Sequence, residues 1–395
     1  MSNRLLNKTD PKGYRHFEQL LAPCDITLNG LNSWDVKVKD ERLFRRVLRD
    51  GTLGLGEAYM DGQWSCSDLP GLIEGLLSSY DRIPVDSFLS WPRRLVDYLR
   101  HKLRPNSRQG SEQNIYAHYD LGNEFFQLFL DESLTYSCAI WDGCESLHAA
   151  QQAKFADVCD RLSLKSDDRV LEIGCGWGSF AIHAARHYGC RVTGITISPE
   201  QHNLATKRVS DAGLSKQVKI QLCDYRHLEG EYNKLASIEM IESVGHAYLP
   251  LFFQKCSSIL APGGRMALQA ITLSDKRYAQ YLRNSDFIQQ YIFPGGCLLS
   301  RRTLEQQVAD NTDLHITEVK DIGPHYAETL RRWRDNFWQQ EEEIRSLGYT
   351  ESFMRIWHYY FCYCEAGFEE HYLGNLQVLL TKSIQSNPCS GMTPS

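Results

Sequence analysis

Arg169-Val-Leu-Glu172-Ile-Gly174-Cys-Gly176-Trp-Gly178-Ser-Phe-Ala-Ile-His183 is the stretch on which the fold of this chain turns. Residues 170–173 form a short, mostly apolar run, which suits a buried strand. Three glycines at alternate positions then let the backbone turn sharply and approach a ligand with no Cβ in the way. Residues 179–187 read as a helix. Outward from this unit the alternation continues. Strands are predicted at 191–197, 218–222, 234–238 and 265–271. Helices are predicted at 149–162, 199–209 and 249–260, with Pro262-Gly263-Gly264 as a turn. Strands alternating with helices predict an α/β fold with a doubly wound, mostly parallel sheet.

A glycine loop between strand and helix serves several nucleotide-like cofactors. A dinucleotide site needs an acid about 20 residues further on to hold the ribose. Here the second strand ends Gly194-Ile195-Thr196-Ile197-Ser198 and offers no carboxylate. Glu172, just before the first glycine, would crowd a pyrophosphate but can steer a cation. S-adenosylmethionine (AdoMet) carries a sulfonium and an ammonium. The loop therefore reads as an AdoMet site, with Glu172, Gly174, Gly176 and Gly178 as cofactor-binding candidates. Asp224-Tyr225 follows the third strand, where an acid can accept from an adenine amine and a ring can stack. An exposed turn is the alternative for that pair.

The 395 residues are 42% hydrophobic and 23% charged, enough for one large domain or two. A formal net charge of -6 does not suggest a nucleic-acid partner. The 13 cysteines are scattered, without zinc-ligand spacing, so no metal site is expected and a reduced, cytoplasmic compartment is. No signal-peptide core and no apolar run near the roughly 18 residues of a membrane span is present, which leaves peripheral membrane contact. The N-terminal hundred residues do not open a nucleotide fold. They read as a strand and turn at 26–30, an amphipathic helix at 39–48, a glycine-punctuated turn at 53–57, and helices at 69–77 and 87–103. Residues 104–111 are polar and rich in breakers. The resulting organisation is a smaller, mainly helical, membrane-associated N-terminal domain at 1–105, a linker at 106–114, a catalytic domain at 115–385, and a disordered tail at 386–395. From about residue 272 the chain is aromatic-rich and more helical. The basic amphipathic stretch from Trp91 to Arg104 suits an anionic bilayer, as does Arg331-Arg332-Trp333-Arg334; a solvated face explains both equally.

Seven motifs in order carry a resemblance. They are His118-Tyr-Asp-Leu-Gly-Asn123, Tyr136-Ser-Cys-Ala139, the glycine loop, Gly194-Ile-Thr-Ile-Ser-Pro-Glu-Gln201, Met240-Ile-Glu-Ser-Val-Gly245, Tyr291-Ile-Phe-Pro-Gly-Gly296 and Gly323-Pro-His-Tyr326. With them the chain resembles the cyclopropane-fatty-acyl-phospholipid synthase family, which includes the mycolic-acid cyclopropane synthases. Gly54 to Gly62 extends the likeness into the N-terminal region, as in the synthases that act on bacterial phospholipids. The resemblance implies AdoMet contacts at Tyr136, Ser137, Thr196, Ser198 and Gln201, and Gln201 then stands in for the absent second-strand acid.

It further implies methylenation of cis double bonds in phospholipid acyl chains, through a carbocation deprotonated by a bound bicarbonate ion. The bicarbonate holders match at Cys138, Glu242, the backbone of Ile271, and Tyr326. Two departures stand out. Gln269 occupies the place of a holder histidine, and Ser243 replaces the histidine after the motif glutamate. Gln269 can donate to an anion but cannot take up a proton. These changes leave open a methylated or methylene product without a ring, and a silent lipid-binding protein is the remaining alternative. Cys364 matches a cysteine assigned a catalytic part in the family, although nothing in this chemistry needs a thiolate. Phe125, Phe126, Phe129, Tyr136, Trp141, Tyr291 and Phe293 are candidate walls that exclude water and face a cation. The resemblance also implies an enzyme at the inner face of the membrane, and it allows a homodimer.

Overall fold

The computed structural model describes residues 11–79, 121–283 and 286–384, and the glycine-loop stretch lies in the middle of its main sheet. Two short N-terminal strands, β1 (Lys37–Val38) and β2 (Trp64–Ser65), pair with each other. The main sheet holds β3 (Arg169–Ile173), β4 (Arg191–Thr196), β5 (Val218–Leu222), β6 (Tyr232–Ile238), β7 (Leu260–Leu273), β8 (Leu299–Ser300), β9 (Leu314–Asp321) and β10 (Leu373–Lys382). Its order is β5-β4-β3-β6-β7-β10-β9, with β8 beside the end of β7. The strands from β3 to β7 run parallel, while β10 is antiparallel to both of its neighbours. This is the α/β, mostly parallel sheet expected from the alternation. Val170 to Ile173 of β3 are all buried, as a strand covered on both faces must be. The chain leaves β3 toward β4 on one side and returns to β6 on the other, so a crevice opens at the ends of these strands.

The N-terminal helices are α1 (Pro11–Leu21), α2 (Arg42–Met60) and α3 (Leu69–Ser78). Next come α4 (Gly122–Gln127), α5 (Leu147–Leu162), α6 (Ser179–Tyr188), α7 (Pro199–Asp211) and α8 (Leu249–Ile259). The remainder are α9 (Asp275–Tyr281), α10 (Phe287–Tyr291), α11 (Arg301–Asn311), α12 (Pro324–Gln339), α13 (Glu341–Ser346) and α14 (Glu351–Glu369). Local sequence sets their starts. Ser146 caps α5, and Ser198 caps α7 with Pro199 in the first turn, where a missing N–H costs nothing.

Three local expectations are corrected. Residues 53–57 form no turn; they continue α2, whose break lies at Gly51 with φ 61°. A Cβ at Gly56 would stand 2.7 Å from Phe287 Cδ2, so this glycine permits close helix packing instead. Residues 26–30 form only a single bridge, Leu28 to Val36. The aromatic C-terminal part also supplies three sheet strands, the short β8 and the longer β9 and β10. The register of β10 against β7 sets Asn375 opposite Ile271 and Gln377 opposite Gln269. These four positions alternate along their strands, so they share one face of the sheet.

The apolar cluster of the N-terminal helices, with Phe44, Trp64 and Leu72, continues into Phe287 of α10 and Tyr359, Cys362 and Ala366 of α14. The 106–114 linker, the basic stretch at 91–104, the His118-Tyr-Asp motif and the 386–395 tail lie outside the described residues. Among the described residues, no helix is long and apolar enough to cross a membrane.

Candidate active site

A cleft opens at the ends of β3, β4 and β6. Tyr136, Ser137, Glu172, Gly174, Gly176, Thr196, Gln201, Asp224 and Tyr225 all line it. Gly178 and Ser198 sit one step back, as the residues that start α6 and α7. Gly174 has φ 84°, and a Cβ there would lie 2.4 Å from Met240 Cγ. Only glycine fits this turn on both counts. Thr196 Oγ1 donates to Gln201 Oε1 at 2.7 Å, which leaves the amide N–H groups of Gln201 as donors for a ligand. Asp224 accepts from the backbone of Arg226 at 2.9 Å, and the Tyr225 ring packs edge-on against Phe252.

Glu172 is buried, and its Oε2 has no hydrogen-bond partner. Burial holds its carboxyl well above the usual carboxylate range, against the pull of Lys154. A cationic ligand in the cleft would supply the missing partner. Lys154 itself escaped the sequence reading. It is fully buried, donates to Ser137 Oγ at 2.7 Å, and is pushed down to about 8 by desolvation. One charged residue on an amphipathic helix carries no sign that it faces inward. The cleft thus has a buried acid and a buried amine in its lining.

The group around Glu239, which lines the cleft, departs most from expectation. Cys138, Gln269 and Tyr326 do come together, but around a side chain. Glu239 Oε1 accepts from the Cys138 backbone at 3.1 Å, Gln269 Nε2 at 2.7 Å and Asn375 Nδ2 at 2.5 Å. Tyr326 Oη donates to Glu239 Oε2 at 2.6 Å. Gln377 Nε2 donates to Gln269 Oε1 at 3.1 Å and so turns the Gln269 amide nitrogen toward the carboxylate. The backbone N–H of Ile271 donates to Glu242 Oε1 at 2.6 Å. The donors that the resemblance assigns to bicarbonate are therefore engaged by carboxylates of this chain, and these residues do not fit a free bicarbonate ion.

Glu242 stands beside this group. Its Oε2 has no partner, and burial, aided by the charge of Glu239, raises it to about 8. Cys138 is buried, with its thiol raised far above the ordinary value by desolvation. Cys364 lies on α14, packed against the aromatic core; it does not line the cleft, and burial likewise keeps it a thiol. That places it away from the chemistry.

Of the candidate aromatic walls, Tyr136 reaches the cleft. Its hydroxyl donates to Tyr360 at 3.0 Å, and its ring lies 5.1 Å from Trp333 and 6.1 Å from Phe293. Phe125, Phe126 and Phe129 form the fully buried layer behind it. Trp141 and Tyr291 are turned elsewhere, donating to Thr329 and Glu57. Arg331, Arg332 and Arg334 are each paired within the molecule, to Glu328, Glu365 or both.

A family model described as mycolic acid cyclopropane synthetase matches residues 106–378. The chain belongs to this family. It is an AdoMet-dependent methyltransferase of the cyclopropane-synthase type. Tuberculostearic acid methyltransferase of Mycobacterium tuberculosis is 39% identical over 97% of this chain and 91% of that protein. Cyclopropane-fatty-acyl-phospholipid synthase of Escherichia coli is 35% identical over 95% of each. Among solved structures, the cyclopropane synthase MmaA2 from Mycobacterium tuberculosis aligns at a TM-score of 0.64 and 29% identity, over 69% of this chain and 98% of that one. The mycolic acid cyclopropane synthase CmaA1 complexed with SAH and CTAB aligns at 0.64 and 30%, with the same coverage.

Proposed function

We propose that this synthetase-family enzyme transfers the methyl(ene) carbon of AdoMet to the cis double bond of unsaturated phospholipid acyl chains and closes a cyclopropane ring. One observation carries the reading. The glycine loop and a carboxylate held by four donors face the same cleft, whose inner wall is aromatic. An isolated double bond is a weak nucleophile, and its attack on a sulfonium methyl leaves a carbocation. Such a reaction needs a cationic donor held in place, exclusion of water, and a negative group near the new charge. Glu172, Gln201 and the loop serve the first need. Tyr136 and the ring layer behind it serve the second, and Glu239 serves the third.

A second reading, a methylated or methylene acyl chain without a ring, is supported by the 39% identity to tuberculostearic acid methyltransferase over nearly the whole chain. Either reading makes the protein a peripheral enzyme at the cytoplasmic face of a membrane, where residues 91–104 would meet the lipid, and it leaves room for a homodimer. Incubating the purified protein with AdoMet and liposomes of cis-monounsaturated phospholipid tests it, with S-adenosylhomocysteine release and the proton spectrum of the extracted lipid as readouts. Upfield ring protons support cyclopropanation. Olefinic methylene protons select the second reading. Absence of S-adenosylhomocysteine overturns both.

A further inference from the structure

We propose that Glu239 is the catalytic base of this enzyme, an internal carboxylate that does the work for which the family resemblance implies a bicarbonate ion. The inference rests on the acyl-chain reading above. Four donors converge on this one carboxylate from segments 101, 30, 87 and 136 residues away in sequence, at Cys138, Gln269, Tyr326 and Asn375. All four are neutral, so they hold an anion in place without neutralising it. Glu239 also lines the cleft that contains Gly174, and its neighbour Met240 packs over that glycine.

The backbone supports the assignment. Glu239 has φ 50°, a left-handed conformation that favours glycine, and its N–H donates to Gln269 O at 2.9 Å. A non-glycine residue persists there when its surroundings over-determine it, and such positions cluster at functional sites. Gln269 fits as well. Its amide oxygen is taken by Gln377 and its nitrogen by Glu239, which suits a fixed anion that never leaves. Glu242, raised by burial and by this neighbouring charge, adds no second negative charge near neutral pH.

The step balances as follows. The C–S bond of the donor breaks as the alkene π pair bonds the methyl carbon, leaving the adjacent carbon cationic. A C–H bond of the new methyl breaks, its proton passes to the Glu239 carboxylate, and the freed pair closes the third ring bond. If a hydride shift comes first, the same proton is lost and the pair forms a methylene. A proton on the methyl group beside a carbocation is acidic enough for a positioned carboxylate to take it.

Three proteins test this: the wild type, Glu239→Gln, and Glu239→Gly, for which φ 50° is no burden. The wild type should turn over equally in carbonate-stripped and bicarbonate-supplemented buffer. Glu239→Gln should lose at least about 100-fold in turnover, the usual share of a positioned base. Glu239→Gly should fall as far and recover by about 10-fold or more on adding bicarbonate, which can then enter the vacated donor cage. Independently of turnover, 13C-bicarbonate should bind Glu239→Gly and not the wild type by NMR line broadening. A wild type that loses activity on stripping, or that binds bicarbonate as Glu239→Gly does, overturns the proposal, as does an active Glu239→Gln. If the wild type releases no S-adenosylhomocysteine with any unsaturated lipid, the acyl-chain reading fails while the NMR comparison still decides the fate of the donor cage.

Discussion

Gly174→Ala tests the cofactor loop directly, because the structure gives two separate costs for the added methyl group. The first is backbone strain. At φ 84° a Cβ crowds its own chain, at about 1–2 kcal/mol. The second is collision: the ideal Cβ stands 2.4 Å from Met240 Cγ and 2.7 Å from Met240 Cβ. Overpacking of this kind costs about 1–3 kcal/mol. The sum is roughly 2–5 kcal/mol, or roughly 30-fold to a few thousand-fold in an equilibrium constant. If the loop moves to relieve the strain, the loss appears in AdoMet affinity; if it stays, the loss appears in folding stability. Calorimetric titration with AdoMet and urea unfolding of the same samples should together account for the full amount. Met240→Ala removes the nearer of the two atoms, so in its background Gly174→Ala should cost less. Binding within about twofold of wild type, with an unfolding free energy within about 0.5 kcal/mol, would refute the reasoning.

Glu242→Gln should remove a pH-dependent destabilisation. The folded protein holds Glu242 at about 8, above its unfolded value, so the stability it contributes is present at low pH and is lost as pH rises toward 8. Glutamine can keep the acceptor for Ile271 N–H and stays neutral. Urea melts between about pH 5 and about pH 8 should show the variant gaining on wild type and then levelling off; a constant difference would contradict the assignment. Cys364→Ala should retain catalytic efficiency within about twofold, and the wild-type thiol should resist alkylation in the folded protein, because burial keeps it protonated and off the cleft. Rapid inactivation by iodoacetamide that the alanine variant escapes would reverse that view.

Much of this was legible along the chain. The parallel sheet and the cofactor class rest on short-range features: alternation of strand and helix, glycines at fixed spacing after β3, and an acid two residues before the first of them. Each is set by residues within a turn or two of one another, so pattern alone reaches them. Local reading also had limits. Gly54 and Gly56 look like turn residues in sequence, but α2 uses the space they leave for Arg46 and Phe287. β10 was hidden among aromatic helices because its polar residues, Asn375 and Gln377, look unsuited to a buried strand until their partners are known.

By itself, then, the sequence determined that a strand, a glycine turn and a helix would meet a cationic cofactor, while the grouping of Cys138, Glu242, Gln269 and Tyr326 came only as an implication of the family resemblance. Only the tertiary structure decided what those residues surround. Glu239 falls one position before a recognised motif and carries no local mark. Its role exists because β7, β10, α12 and the segment at Cys138 bring one donor each to the same carboxylate. Lys154 is the same case: a lysine at helical spacing reads as solvated, and only the packing of α5 against Ser137 buries it. The physical reason is range. Backbone conformation follows neighbours in sequence, whereas the charge and hydrogen bonding of a buried group follow neighbours in space.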